Sequence, residues 1–188
     1  NLYMPSADNR LKQYQLILEN NFKVIFCEMV KFLRTGESDW LGQEITETAK
    51  LLEEAKSFAF RDVENHFLRE DNDYFHYFKM REKQFEIIER VLPIVTSLTV
   101  TLPQGKMIAE FLEELSNNIQ PGNTAHIYLG KLKEMKMEFE EMELPKTREE
   151  FEVRAALLQL VKEMNEYLII KSSFKTSKWN KPRKLEAN

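Results

Sequence analysis

The chain has 188 residues, 43% of them hydrophobic and 31% charged, a composition that suits one domain with a sizeable core and excludes collagen-like, disordered and disulfide-stapled classes. A formal net charge of −4 and a pI near 5.6 argue against nucleic acid as the main partner, because neutralising phosphates needs a basic face. No apolar run approaches the roughly 18 to 20 residues of a membrane-spanning helix, and no basic-then-apolar signal opens the sequence.

From Ala7 to Arg34, apolar residues recur at Leu11, Tyr14, Leu18, Phe22, Ile25, Met29 and Phe32, the alternating steps of three and four that predict one face of a long helix. Thr35-Gly36 supplies its stop. Cys27, the one cysteine, lies within this helix among apolar neighbours and is expected to be a buried thiol in a reducing compartment. A second helix is predicted from Gln43 to about Glu70, with Ile45, Ala49, Leu52, Ala55, Ala59, Val63 and Phe67 on its apolar face. Its alanines imply a close neighbour.

The acidic turn EDND interrupts that pattern, and Asp71 or Asn72 is expected to cap a third helix reaching Leu98, with a kink at Pro93. The β-branched, Pro- and Gly-containing stretch from Thr96 to Gly105 is the clearest break. A shorter helix follows with Ile108, Phe111, Leu112, Leu115 and Ile119, either an extension of the third or a separate piece packed beside it. Pro121-Gly122 ends it. A fifth helix carries Tyr128, Leu132, Met135, Phe139 and Met142, and Thr147 with Glu150 has capping-box spacing for a last helix to about Lys171. With no sustained period of two, the fold class is all-α, an up-and-down antiparallel bundle of four long helices plus one or two shorter ones. The domain is expected over residues 1–171, followed by a basic, flexible tail over 172–188 whose lysines and aromatics also suit an anionic membrane surface.

If the second and third helices fold back around Asp71-Asn72, residues equidistant from that turn share a height: His66 faces Tyr77, and Asp62 faces Arg81. Arg81 steps in register with Phe78, Phe85, Ile88 and Leu92, which puts a guanidinium on a face otherwise built as core. A buried arginine must be paired. Asp62 and Glu64 are the expected partners, with Asn65, His66 and Gln84 satisfying the remaining donors and acceptors. Such a cluster reads either as a polar network fixing helix register or as a pocket in which an arginine with aromatic walls receives a carboxylate. A metal centre is the weaker alternative: paired Glu-x-x-His motifs of di-iron bundles are lacking, and His126 stands alone near a predicted helix start. No nucleophile elbow or phosphate-cradling glycine loop is present, so no enzymatic activity and no cofactor are expected.

The segment LLEEAKSFAFRDVENHFLREDNDYFHYFKMREKQFEIIERVLPIV, Leu51 to Val95, resembles the C-terminal domain of bacterial putative aromatic acid exporters of the member-one type. Glu64-Asn65-His66, Arg69, the tyrosine-rich step after the acidic turn, and Met80-Arg81 with Gln84 carry the likeness. It implies a helical bundle on the cytoplasmic side of a membrane protein, following a block of transmembrane helices, and it fits a sequence that opens at Asn1 rather than methionine. The implied role is an accessory or regulatory domain. The expected partners are the transmembrane domain of the parent protein, a second copy in a homo-oligomer, and a small aromatic carboxylate, with nucleic acid excluded. A free-standing helical adaptor binding a partner protein through methionine-rich seams is the alternative.

Overall fold

The computed structural model describes residues 6–65 and 73–175 together with Trp179; the side chain of Asn65 also lies outside the description. All regular structure among these residues is helical: α1 (Ala7–Thr35), α2 (Gln43–Asn65), α3 (Asp73–Thr96), α4 (Pro103–Ser116), α5 (Ala125–Glu141) and α6 (Arg148–Ser173). Four are long and two short.

The boundaries follow from side-chain chemistry. Ser6 caps α1 by accepting from the Asn9 amide, and Gly36 closes it in the left-handed conformation at φ 72°, its N–H donating to the Phe32 carbonyl. At the other end of the chain, Thr147 Oγ1 accepts from the Glu150 amide at 3.0 Å, while the Glu150 carboxylate reaches back to the amide of Lys146 rather than of Thr147. This capping box is shifted by one residue on its return arm. The expected turn at Asp71-Asn72 and the last stretch of the second helix, to Glu70, lie outside the described residues.

Packing is organised around three of the long helices, which each lie against three others. The first, α1, lies against α2, α3 and α4, and α6 lies against α3, α4 and α5. On α3, Phe78, Arg81, Phe85 and Ile88 face one way and Tyr77, Met80, Gln84, Ile87 and Val91 another, so α3 is enclosed by α1, α2 and α6. The short α4 is a separate helix packed on α1, not a continuation of α3. Gly105 faces both α1 and α6, and a Cβ there would make only ordinary contacts, 3.8 Å from the Leu157 methyls and 3.9 Å from the Leu33 carbonyl oxygen.

Three sequence expectations are corrected. Ala49 is exposed and Thr48 takes its place in the buried stripe of α2, since the steps from Ile45 run three then four rather than four then three. Cys27 is exposed, because the core stripe of α1 passes through Phe22, Ile25, Phe26 and Met29 and leaves position 27 at its margin, with Sγ 3.9 Å from Ser116 Oγ. An aromatic disulfide reagent is therefore expected to titrate Cys27 fully in the native protein without denaturant; protection until unfolding would contradict this placement. Finally, α4 closes at Ser116, its C-cap Asn117 donating back into the last turn, so Ile119 lies in the connection rather than in the helix and the stop precedes Pro121-Gly122. Beyond residue 171, Phe174 is buried, and Trp179 stands against Tyr74, Tyr77 and Phe174.

Candidate functional site

Arg81 is 2% exposed, the largest fully buried side chain described. A guanidinium removed from water must have its N–H groups met, and three nitrogens find partners here. Nε donates to Tyr77 Oη at 3.1 Å, one terminal nitrogen to Gln84 Oε1 at 2.8 Å, and the other to the Gln120 carbonyl at 3.1 Å. The rings of Phe22 and Tyr77 lie against the cation, at 5.6 and 5.2 Å from centroid to Cζ.

The network extends to four elements. Tyr77 Oη donates onward to Glu19 Oε1 on α1 at 2.8 Å, and the same oxygen accepts from Gln15 Nε2. Gln84 Nε2 donates to the Tyr167 carbonyl on α6 at 3.0 Å. One turn further along α6, Lys171 is 7% exposed, lies over the Phe174 ring, and donates to the Pro121 carbonyl at 2.6 Å. Two buried cations from different helices thus hold two consecutive carbonyls of the α4–α5 connection.

Electrostatics follow from this burial. Burial pushes the Tyr77 phenol well above its ordinary range, and Tyr167 is pushed up to about 12 for the same reason, with Arg81 opposing in both. Both phenols are thus neutral hydrogen-bonding groups at physiological pH. Burial works against the charged form of Arg81, but Tyr77, Tyr167 and Glu19 outweigh it and hold the guanidinium above its ordinary value. Since neutral phenols contribute only dipoles near pH 7, Glu19 is the group here that supplies a compensating charge. Lys171 moves the other way: burial first, then the neighbouring Arg81 charge, lower it from 10.5 to about 7, with Glu19 opposing.

Of the residues singled out in the sequence, Tyr77, Arg81 and Gln84 are brought together; Asp62 and Glu64 do not pair with Arg81. Lys56 pairs with Glu82 and Phe60 meets Phe75, so the α2–α3 register lies one to two turns from the expected one, and Asp62 is level with the start of α3. Glu64 is exposed. His66 and the side chain of Asn65 lie outside the described residues, whereas His126 stands exposed in the first turn of α5. Sequence reasoning missed Gln15, Glu19 and Lys171. The signal for Lys171 was present, since it continues the α6 core stripe through Leu157, Leu160, Met164, Tyr167 and Leu168. Among the described residues no group of three or more His, Cys, Asp or Glu side chains could hold a metal ion, and no helix is long and apolar enough to cross a membrane.

An α-helical bundle with a buried Arg-Tyr-Gln network defines the class structurally. The chain belongs to the putative aromatic acid exporter C-terminal domain family, whose model matches residues 8–172. It is 60% identical over 181 residues to the uncharacterized protein YqjA of Bacillus subtilis (strain 168), an alignment covering 96% of this chain and 56% of that protein. The chain therefore spans little more than half the length of that relative. Its fold is similar to the crystal structure of a putative membrane protein from Clostridium difficile 630, with a TM-score of 0.75, 20% identity, and coverage of 87% of this chain and 95% of that one.

Proposed function

We propose that this chain is a non-enzymatic accessory domain on the cytoplasmic side of an aromatic acid exporter, and that its buried network makes the bundle and its α4–α5 connection one rigid body. The observation that carries the reading is the satisfaction of Arg81: fully buried, with hydrogen bonds to Tyr77, Gln84 and the Gln120 carbonyl. A guanidinium held this way joins α3 to the distant loop and, through Tyr77 and Gln84, to α1 and α6. Membership of the exporter family supports attachment to a membrane part of the same protein, and the length of the relative beyond the aligned region leaves room for one.

A second reading rests on the charge balance. Below about pH 7, where Lys171 holds its proton, it and Arg81 share one nearby carboxylate, Glu19, so the locus carries surplus positive charge that a small aromatic carboxylate would neutralise. Thermal-shift titration with 4-hydroxybenzoate separates the two. The rigid-body reading predicts no saturable stabilisation, whereas a saturable rise that disappears in Arg81→Met would select the ligand site. A gene that encodes no membrane-spanning segments ahead of residue 1 would remove the exporter assignment altogether.

A further inference from the structure

We propose that the basic groove between the start of α3 and the end of α6 docks this domain on an anionic lipid surface. The groove, about 470 Å³, is lined by His76, Lys79 and Lys83 from α3 and Lys175 following α6, over a floor that includes Met80 and Phe174. Among the described residues, its lining contains four basic residues and no carboxylate. In a chain of net charge −4 with acidic residues in excess, such a face departs from the average surface.

The arrangement follows from helix geometry. His76, Lys79 and Lys83 occupy positions i, i+3 and i+7, one outward face of α3. Of the acids on the two helices near it, Asp73 is buried one turn before His76, Glu82 is engaged by Lys56 on the α2 side, and Glu86 and Glu166 lie about a turn further from this end. Ile169, 40% exposed, edges the groove and offers an apolar contact at the headgroup boundary.

Position in the bundle selects a membrane over other polyanions. The start of α1 lies at this same end, where Asp8 is close enough to Tyr74 to act with burial in raising the phenol's pKa. The proposal rests on the reading that a membrane part of the protein precedes this domain, since the chain then emerges from the bilayer beside the groove. Exposed lysines near an anionic surface each strengthen attachment about fivefold, so three together contribute about a hundredfold, with strong salt dependence.

The test is co-sedimentation of this chain with vesicles of phosphatidylcholine alone and with vesicles in which about one-third of the lipid is phosphatidylglycerol. Binding only to the anionic vesicles is expected, weakened by more than about a hundredfold in the triple variant Lys79→Glu, Lys83→Glu, Lys175→Glu, because charge reversal adds repulsion to the lost attraction. These three side chains are exposed, so an unchanged melting temperature shows that the fold is intact. Lys133→Glu with Lys136→Glu, on the exposed side of α5, is expected to leave binding nearly unchanged. Equal losses in the two variants, absence of anionic-vesicle binding, or displacement by millimolar inorganic phosphate at constant ionic strength would each overturn the proposal. Failure of vesicle binding removes this docking face alone; the exporter assignment stands or falls on the gene ahead of residue 1.

Discussion

Arg81→Met is expected to lower the melting temperature by about 5–15 °C, corresponding to about 2–4 kcal/mol in a chain of this size. The substitution leaves Gln84 Oε1 and the Gln120 carbonyl without their donor, and an orphaned buried acceptor costs about 1–3 kcal/mol. Tyr77 keeps its bond to Glu19, so that link survives. Against the loss stands relief from burying a guanidinium, which is why the expected cost falls below the sum of the orphaned groups. Arg81→Lys should recover only part of the stability, because a single ammonium cannot span Tyr77, Gln84 and the loop carbonyl at once. Adding Gln84→Leu to Arg81→Met should cost less than the two changes summed, since both remove the same bond. Additive losses in chemical denaturation would show that the two residues do not act as a unit.

Stability should rise with pH between about 7 and 10.5, and Lys171→Met should flatten that rise. In the folded chain, burial and Arg81 lower the Lys171 pKa to about 7, while in the unfolded chain it returns to 10.5. Between these values the unfolded state holds the proton and the folded state has released it, so raising the pH favours folding. Below pH 7 both states are protonated and the full cost of burying the ammonium is present. The slope is on the order of 1 kcal/mol per pH unit at its steepest. Other groups titrate in the same window, so the decisive quantity is wild type minus variant, measured by urea denaturation at several pH values. A difference that does not grow with pH would mean that Lys171 is solvated and ordinary. The neutral amine still donates to the Pro121 carbonyl, so the loop remains held at high pH.

The bundle was legible in the sequence because steps of three and four report burial directly, and Gly36 and Thr147 mark ends by their own chemistry. The Arg81 anomaly was legible for the same reason: a cation in register with Phe78, Phe85 and Ile88 breaks a pattern. Its partners were not. Pairing across a hairpin depends on where the turn is centred, and an offset of one or two turns transferred Asp62 from Arg81 to the start of α3. The carbonyls of Gln120 and Pro121 were illegible in principle, since every residue has a carbonyl and only the fold determines which ones a buried cation meets. Thr48 in place of Ala49 shows the finer limit, because two adjacent small residues satisfy a helical stripe almost equally well.

With six helices, the chain returns to the end from which it set out. Ala7 opens α1, Ser173 closes α6, and beyond it Trp179 meets Tyr74 edge to face at the start of α3. A body whose two ends emerge together can hang from a host protein by a single stalk, and can be spliced into a loop without its far side being disturbed. Joining the ends by a short linker and reopening the chain in the exposed segment near Val100 would therefore preserve every packed pair, so long as the new ends stay clear of the α1–α4 contact.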